Sequence, residues 1–116
     1  MNNKRKIAIM ITTDSIGKGS EELGKTLMKS YIYSLTEAEC KPDSIMFLNR
    51  GVYLTTKGSP VIEMVKQLEK EGVEILSCGA CLDYYDLKDH LEAGDVTNMY
   101  SNVEIMHEYD NTIVIS

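Results

Sequence analysis

The chain has 116 residues, a net charge of −6 and a pI near 4.8. Its composition, 43% hydrophobic and 26% charged, predicts a globular chain rather than a disordered one, and its length suits a single domain over residues 1–116. An acidic surface repels phosphate backbones, and the sequence contains no apolar run of about 20 residues. We therefore expect neither a nucleic-acid partner nor a membrane partner.

The number of cysteines and the sequence of the N-terminus indicate the cellular compartment. Three cysteines is an odd number, which argues against a disulfide framework, and "IAIMI" after the positive start is too short for a secretory signal. The sequence therefore predicts a cytoplasmic protein with reduced thiols.

Four short apolar runs predict buried strands. They are "KIAIMIT" (6–12), "SIMFLN" (44–49), "VEILSC" (73–78) and "TIVIS" (112–116). None alternates strictly with polar residues, which is typical of parallel strands covered on both faces. The segment "GVYLTT" (51–56) predicts one more short extended piece.

The first predicted helix runs from Ser20, its N-cap, to Thr36. Its apolar residues recur at helical spacing. The stripe consists of Leu23, Leu27, Tyr31 and Leu35, widened by Met28 and Ile32.

Three further helices follow. The second has Ser59 as N-cap, Pro60 as its first helical residue and Gly72 as its stop. The third covers about 81–91 before Gly94. The fourth carries an apolar stripe of Met99, Val103 and Met106 and ends near Asp110.

The resulting order, β-α-β-α-β-α-α-β, predicts an α/β sandwich with a parallel sheet and right-handed crossovers. Ligands of such sheets bind beyond the carboxyl ends of the strands. The site is therefore expected among the loops at 13–20, 49–58 and 77–82.

The segment "SCGACLDYYD" (77–86) holds two cysteines in a Cys-x-x-Cys spacing. Cys78 ends a predicted strand, Gly79 permits a tight turn, and Cys81 falls in the first turn of the next helix. A helix N-terminus stabilises a thiolate, whereas nearby Asp83 and Asp86 oppose it. The residues alone leave two alternatives open: functional thiols, or buried and chemically inert cysteines.

Two other kinds of site fit less well. The loop "TTDSIGKGSEELG" matches neither the Walker pattern nor the dinucleotide fingerprint, which favours a plain turn into a capped helix. His90 and His107 do not complete a zinc site, because only one close pair of cysteines is present. We expect no metal and no cofactor.

The motifs Asn49-x-Gly51-Val52, Cys78-Gly79-x-Cys81-Leu82-Asp83-Tyr84 and Asn98-Met99-Tyr100 together resemble the DsrE/DsrF-like sulfur-relay family. Within it, the sequence is most similar to the C-terminal domain of YedF-type proteins, which are labelled sulfurtransferase-like selenium metabolism proteins. The resemblance implies a DsrE-like, three-layer α/β/α fold with a mainly parallel sheet of four to five strands, often assembled into homo-oligomers.

The resemblance also implies a function. In sulfur-relay members, a cysteine at the position of Cys78 carries sulfur as a persulfide; Cys81 would act as the resolving thiol. Asn49, Gly51, Gly79, Asn98 and Tyr100 would form the substrate pocket.

Longer YedF-type proteins have a TusA-like N-terminal domain with a Cys-Pro-x-Pro motif, whereas neither proline of this chain directly follows a cysteine. The chain is then either a standalone domain or a piece of a longer protein. The resemblance implies a sulfur donor or acceptor protein as partner, with a TusA-like protein as the candidate. The alternative function is a non-enzymatic module that binds a small ligand or assembles, with structural cysteines. Whether the chain is itself a sulfurtransferase-like enzyme stays open, as does the choice between sulfur and selenium.

Overall fold

The computed structural model describes residues 5–116, in which five strands form one parallel sheet. The strands lie in the order β4-β3-β2-β1-β5. Their bounds are β1 (Ile7–Ile11), β2 (Ser44–Phe47), β3 (Glu74–Cys78), β4 (Asp95–Thr97) and β5 (Asn111–Ile115). The expected α/β fold with a parallel sheet of four to five strands is confirmed.

Four α-helices connect the strands: α1 (Glu21–Glu37), α2 (Ile62–Lys70), α3 (Gly79–Tyr84) and α4 (Met99–Glu108). Two 3₁₀ helices, Asn49–Leu54 and Lys88–His90, complete the connections. Over the described residues, no helix has both the length and the apolar character that a membrane span requires.

The order of the strands fixes which face each helix covers. The chain moves from β1 through β2 and β3 to β4 in one direction, so right-handed crossovers put α1, α2 and α3 on one face. It then crosses from β4 to β5 in the opposite direction, which puts α4 on the other face. The three layers therefore contain three helices on one side of the sheet and one on the other.

The hydrophobic core is larger on the face that carries three helices than on the face that carries one. Beneath α1, α2 and α3 lies the larger cluster, in which Ile11, Phe47 and Ile75 of the sheet pack against helix residues such as Met28 and Leu82. Beneath α4 the cluster is small, with Ala8, Met46 and Leu76 as its buried members.

Helix α1 begins at its predicted cap, since the hydroxyl of Ser20 accepts from the N–H of Leu23 at 3.1 Å. The predicted stripe is displaced, however. Leu23 and Leu27 are 56% and 45% exposed, and the buried residues are Gly24, Met28, Ile32 and Thr36. The reason is steric: a Cβ on Gly24 would lie 2.1 Å from Oγ of Ser15, so only glycine lets the helix approach the loop after β1 this closely.

Two predictions between β2 and β3 are wrong. Residues 49–54 form a 3₁₀ helix rather than an extended piece. Helix α2 begins at Ile62, not at Pro60, because the Ser59 hydroxyl accepts from the N–H of Val61 and holds a turn before the helix.

The third helix is shorter than predicted. It ends at Tyr84 because Asp86 adopts a positive φ of 59° and the N–H of Leu87 donates to the carbonyl of Leu82 at 2.7 Å, a Schellman closure. Strand β4 was not predicted, because its three residues are mostly polar and form an exposed edge.

Candidate functional site

The candidate site lies where two neighbouring strands send their connections to opposite faces. Strand β3 continues into α3 on the crowded face, and β4 continues through Asn98 into α4 on the other face. Such a switch in direction opens a crevice at the carboxyl ends of parallel strands, which is where ligands of these sheets bind. Cys78 is the last residue of β3 and therefore stands at this crevice.

A cleft of about 720 Å³ opens at this edge of the sheet. Its walls come from the ends of β1, β2 and β3, from α3 and from the first residue of α4. The lining residues are Thr12, Leu48, Asn49, Cys78, Ala80, Cys81, Tyr84, Tyr85 and Met99. The cleft thus brings together three of the predicted site residues: Cys78, Cys81 and Asn49.

Cys78 is only 7% exposed, and its sulfur acts as the N-cap of α3. Its Sγ accepts a hydrogen bond from the N–H of Cys81 at 3.3 Å. A backbone donor aimed at the sulfur stabilises negative charge on it. Most of the Cys78 side chain is thus buried, although the residue lines the cleft.

Cys81 is half-buried and lines the cleft from the first turn of α3. Its Sγ accepts from the N–H of Asn49 at 3.1 Å. Burial raises the pKa of the Cys81 thiol, the neighbouring Cys78 thiol raises it further, and the Asn49 N–H partly opposes the rise. Asn49 presents this N–H from a left-handed conformation, with φ 51°, and its side chain accepts a hydrogen bond from the Tyr85 hydroxyl.

The walls of the cleft are electrically neutral. None of the nine lining residues has a carboxylate, imidazole, ammonium or guanidinium group. Asp83 and Asp86, expected to oppose a thiolate, do not line the cleft, and Asp83 pairs with Lys88 at 3.3 Å. The chemistry available in the cleft is therefore that of two thiols, tyrosine hydroxyls and backbone donors.

The two predicted glycines lie behind the cleft. A Cβ on Gly51 would lie 2.3 Å from the carbonyl oxygen of Ile11, and a Cβ on Gly79 would meet the Val96 side chain at 3.0 Å. Gly51 therefore lets the 3₁₀ helix that carries Asn49 pack against the end of β1. Both glycines set the shape of the site through close approach.

Gly51→Ala is expected to lower the free energy of unfolding by about 1–3 kcal/mol, because the methyl group clashes with backbone that cannot rotate away. Urea denaturation measures the change. Gly19→Ala is the matched control, since a Cβ there meets nothing within 4 Å. Equal stability of the two variants would contradict the close approach of Gly51 to β1.

The remaining predicted site residues, Asn98 and Tyr100, lie at the start of α4 and do not line the cleft. Asn98 is the N-cap of that helix, with Oδ1 accepting from the N–H of Ser101 at 2.8 Å, and Tyr100 is 72% exposed. Met99, between them, lines the cleft.

Sequence reasoning missed several lining residues. Tyr85 had a usable signal, because it lies four residues after Cys81 and shares its helical face. Thr12 and Leu48 directly follow β1 and β2, so their positions beyond the strand ends also pointed here.

The raised pKa of Cys81 has a measurable consequence. We expect alkylation of Cys81 in the folded protein to require a higher pH than alkylation in urea, where the thiol takes its ordinary pKa of about 8.5. The stabilisation linked to the protonated thiol is complete below that ordinary value and is lost as pH rises through the folded pKa. Peptide mass mapping of iodoacetamide labelling against pH checks this, and coincident folded and unfolded profiles would contradict it.

The second cavity and the two histidines do not indicate another reactive site. A second cavity of about 220 Å³, between α1 and the start of α2, is lined by Asp14, three lysines and mainly apolar residues, and it contains neither cleft cysteine. His90 and His107 are exposed. Within residues 5–116, no group of three or more His, Cys, Asp or Glu side chains is arranged to hold a metal ion.

The parallel sheet, its strand order and a paired-thiol cleft at the carboxyl edge define a class of small α/β proteins with a cysteine site. The chain belongs to the DsrE/DsrF-like family, whose model matches residues 5–115. A comparison with curated proteins gives no significant match.

Two solved structures have the same fold. The ychN protein from E. coli is 16% identical, with a TM-score of 0.72 over 95% of this chain and 98% of that chain. The protein of unknown function MTH1491 from Methanobacterium thermoautotrophicum is 20% identical, with a TM-score of 0.71 over 96% of this chain and 99% of that chain. At these identities the likeness shows the fold alone.

Proposed function

We propose that this protein is a cytoplasmic sulfur-relay carrier that holds sulfur as a persulfide on Cys78, with Cys81 as the resolving thiol. The family to which it belongs is associated with sulfur relay. The observation that carries the proposal is the joint position of both thiols in one neutral cleft at the end of β3. A neutral, partly apolar wall favours reactions between sulfur atoms over hydrolysis, because it supplies no general base.

Loading needs no external oxidant. The Cys78 thiolate attacks the outer sulfur of a donor persulfide, R–S–SH. The donor S–S bond breaks, R–S⁻ leaves with its electron pair, and Cys78 becomes Cys78–S–SH. Delivery is the same exchange in reverse direction: an acceptor thiolate takes the outer sulfur and Cys78 leaves as thiolate.

Cys81 gives the persulfide a second outcome. Its thiolate attacks Sγ of Cys78, the persulfide S–S bond breaks, and HS⁻ leaves as the Cys78–Cys81 disulfide forms. The hydrogen bond from the Cys81 N–H to the Cys78 sulfur keeps the two residues in register for this attack. A raised pKa keeps Cys81 mostly protonated near neutral pH, which favours delivery to a partner over self-resolution.

The shape of the cleft supports one kind of partner. Cys78 is 7% exposed, so a donor or acceptor must extend its thiol into the cleft rather than dock flat against the surface. A mobile loop or tail bearing a cysteine, of the kind a TusA-like protein would supply, fits this requirement. We extend the proposal to the YedF-type group, with selenium as an alternative cargo at the same sulfur atom.

Mass spectrometry after incubation with a low-molecular-weight persulfide tests the proposal. One added sulfur is expected on the Cys78 peptide of the parent protein and of Cys81→Ser, and none in Cys78→Ser. Cys40→Ser is the control, because Cys40 is exposed in the loop before β2, at the opposite end of the sheet. An adduct that is lost in Cys81→Ser and retained in Cys78→Ser would reverse the roles of the two cysteines.

A second candidate function, a non-enzymatic assembly module, is favoured by the outer face of α4. Its apolar residues are only partly covered: Met99, Tyr100, Val103 and Met106 are 36–72% exposed. Exposed apolar residues grouped on one helix are typical of a subunit interface. We propose that this face joins copies of the chain into a homo-oligomer, which is compatible with sulfur carriage.

Met106→Glu is expected to reduce the assembly to monomers, because it buries a charge in an apolar contact. Sedimentation velocity measures the size. Glu108→Gln, an exposed polar position on the same helix, should leave the size of the parent protein unchanged. A parent protein that is already monomeric at high concentration would contradict the assembly.

A further inference from the structure

Asn102 has a buried amide that the fold does not satisfy. The residue is fully buried in α4, and its Nδ2 has no hydrogen-bond partner among the described residues. Its Oδ1 accepts from the Thr97 hydroxyl at 3.4 Å. An unpaired buried donor costs about 1–3 kcal/mol of stability, so its presence calls for a reason other than stability.

Two independent observations indicate that Asn102 lies near Cys78. The first runs through the sheet: Thr97, which bonds the Asn102 side chain, is the register partner of Cys78 across β3 and β4. Register partners of a parallel pair lie about 4.8 Å apart with side chains on the same face. Cys78 and Thr97 are also both buried, at 7% and 9% exposed.

The second relation runs along α4. Met99 lines the cleft together with Cys78, and Asn102 follows it by three residues, so the two share a helix face. Met99 is exposed at the mouth, whereas Asn102 is fully buried one turn further along α4 and is not itself among the residues that line the cleft. The side chain of Asn102 therefore lies on the sheet side of α4, against Thr97, one strand away from Cys78.

We propose that Nδ2 of Asn102 donates a hydrogen bond to the outer sulfur of the Cys78 persulfide. This inference rests on the proposed function, and it assigns the anchor that retains the cargo once the donor has left. Ionised persulfide sulfur in a neutral cleft needs a donor, and the cleft wall supplies no cation for it. Asn102 meets that need without changing the charge of the site.

The same geometry explains why asparagine suits the position. Leucine would fill the space but would leave the outer sulfur unbonded. Aspartate would keep the shape, replace the donor by an acceptor and repel the charged sulfur. A residue kept for binding should cost stability, whereas a residue kept for structure should supply it.

The test uses the full chain carrying Cys81→Ser, so that self-resolution does not consume the persulfide. Asn102→Leu and Asn102→Asp are loaded with a low-molecular-weight persulfide, and the half-life of the sulfur adduct on Cys78 is followed by mass spectrometry. We expect it to shorten about tenfold or more in both variants, the effect of one lost hydrogen bond to a charged group. Asn111→Leu and Asn111→Asp, at the exposed first residue of β5, are the controls and should not change the half-life.

A second readout separates binding from structure. The melting temperature of Asn102→Leu should equal or exceed that of the parent protein, because the buried amide without a hydrogen-bond partner is removed. The pH dependence of sulfur release to cyanide should move to higher pH in Asn102→Leu. A lower melting temperature with an unchanged pH profile and adduct half-life would make Asn102 a purely structural residue and overturn the inference.

The outcomes also distinguish this inference from the proposed function. Sulfur loading of Cys78 in the parent with equal half-lives in the Asn102 variants overturns the Asn102 inference alone. Failure of the parent itself to load Cys78 overturns the sulfur-carrier function, and the assignment of Asn102 fails with it. Asn102→Leu buries no unpaired polar group, so it supplies a folded variant if Asn102→Asp does not fold.

Discussion

Cys81→Ser is expected to lengthen the lifetime of the persulfide on Cys78 by at least about tenfold in the absence of an acceptor. A thiol held beside the persulfide reacts as part of the same molecule, and such proximity accelerates a reaction strongly. Removing it leaves only slow attack by solvent species. The lifetime is measured as the fraction of Cys78 peptide that retains the added sulfur over time.

The pH dependence of persulfide decay provides a second test of this prediction. With Cys81 present, decay should accelerate as pH rises toward its raised pKa, because only the thiolate attacks. In Cys81→Ser that acceleration should be absent. Cys40→Ser, which alters the exposed thiol at the opposite end of the sheet, should behave as the parent. Identical decay in the parent and in Cys81→Ser would show that Cys81 does not resolve the persulfide.

Leu82→Ala is expected to lower the free energy of unfolding by about 2–5 kcal/mol, the usual range for truncating a fully buried leucine. Leu82 is the one buried side chain of α3 and packs into the larger core cluster. It therefore anchors the short helix that carries Cys81. Chemical denaturation gives the loss of stability, and amide exchange across 79–85 should accelerate with it.

Tyr84→Ala is the matched control on the same helix, since the tyrosine is 83% exposed. Its free energy of unfolding should differ from that of the parent by less than about 1 kcal/mol. Similar losses in the two variants would contradict the claim that α3 is fixed through Leu82.

Four strands of the sheet could be predicted because they contain unbroken apolar runs. The expected burial is wrong for β5, an edge strand in which Ile113 and Val114 are 40% and 58% exposed. β1, β2, β3 and β5 each contain such a run, and the helices between them require parallel pairing. Strand β4 has no such run: Asp95 and Val96 are exposed on the sheet edge, and only backbone pairing with β3 makes the segment a strand. Pairing of this kind is a tertiary effect that local composition does not encode.

The errors in the predicted helices also arise because the sequence does not show tertiary contacts. Leu23 and Leu27 satisfy helical spacing as well as Met28 and Ile32 do, and only the close approach at Gly24 decides which side faces the sheet. The end of α3 was hidden for a different reason. Asp86 takes the left-handed conformation that glycine normally supplies, so no glycine marked the stop.

The candidate site was partly predictable. The Cys-x-x-Cys spacing at a strand end indicated Cys78 and Cys81, and the family motif indicated Asn49. The contact between the Asn49 N–H and the Cys81 sulfur was not predictable, because it depends on a 3₁₀ helix that sequence reasoning took for an extended piece. Asn102 carried no signal either, since its lack of a partner becomes visible only when the fold buries it.

The proposed sulfur carriage depends on a reachable sulfur at the end of β3, and the rate of alkylation of Cys78 tests it most directly. In a Cys40→Ser, Cys81→Ser chain, iodoacetamide should label Cys78 under native conditions through the cleft, well before the protein unfolds. Labelling that occurs only at the rate of global unfolding, and becomes fast only in urea, would mean that Cys78 is an inert core residue and would contradict sulfur carriage.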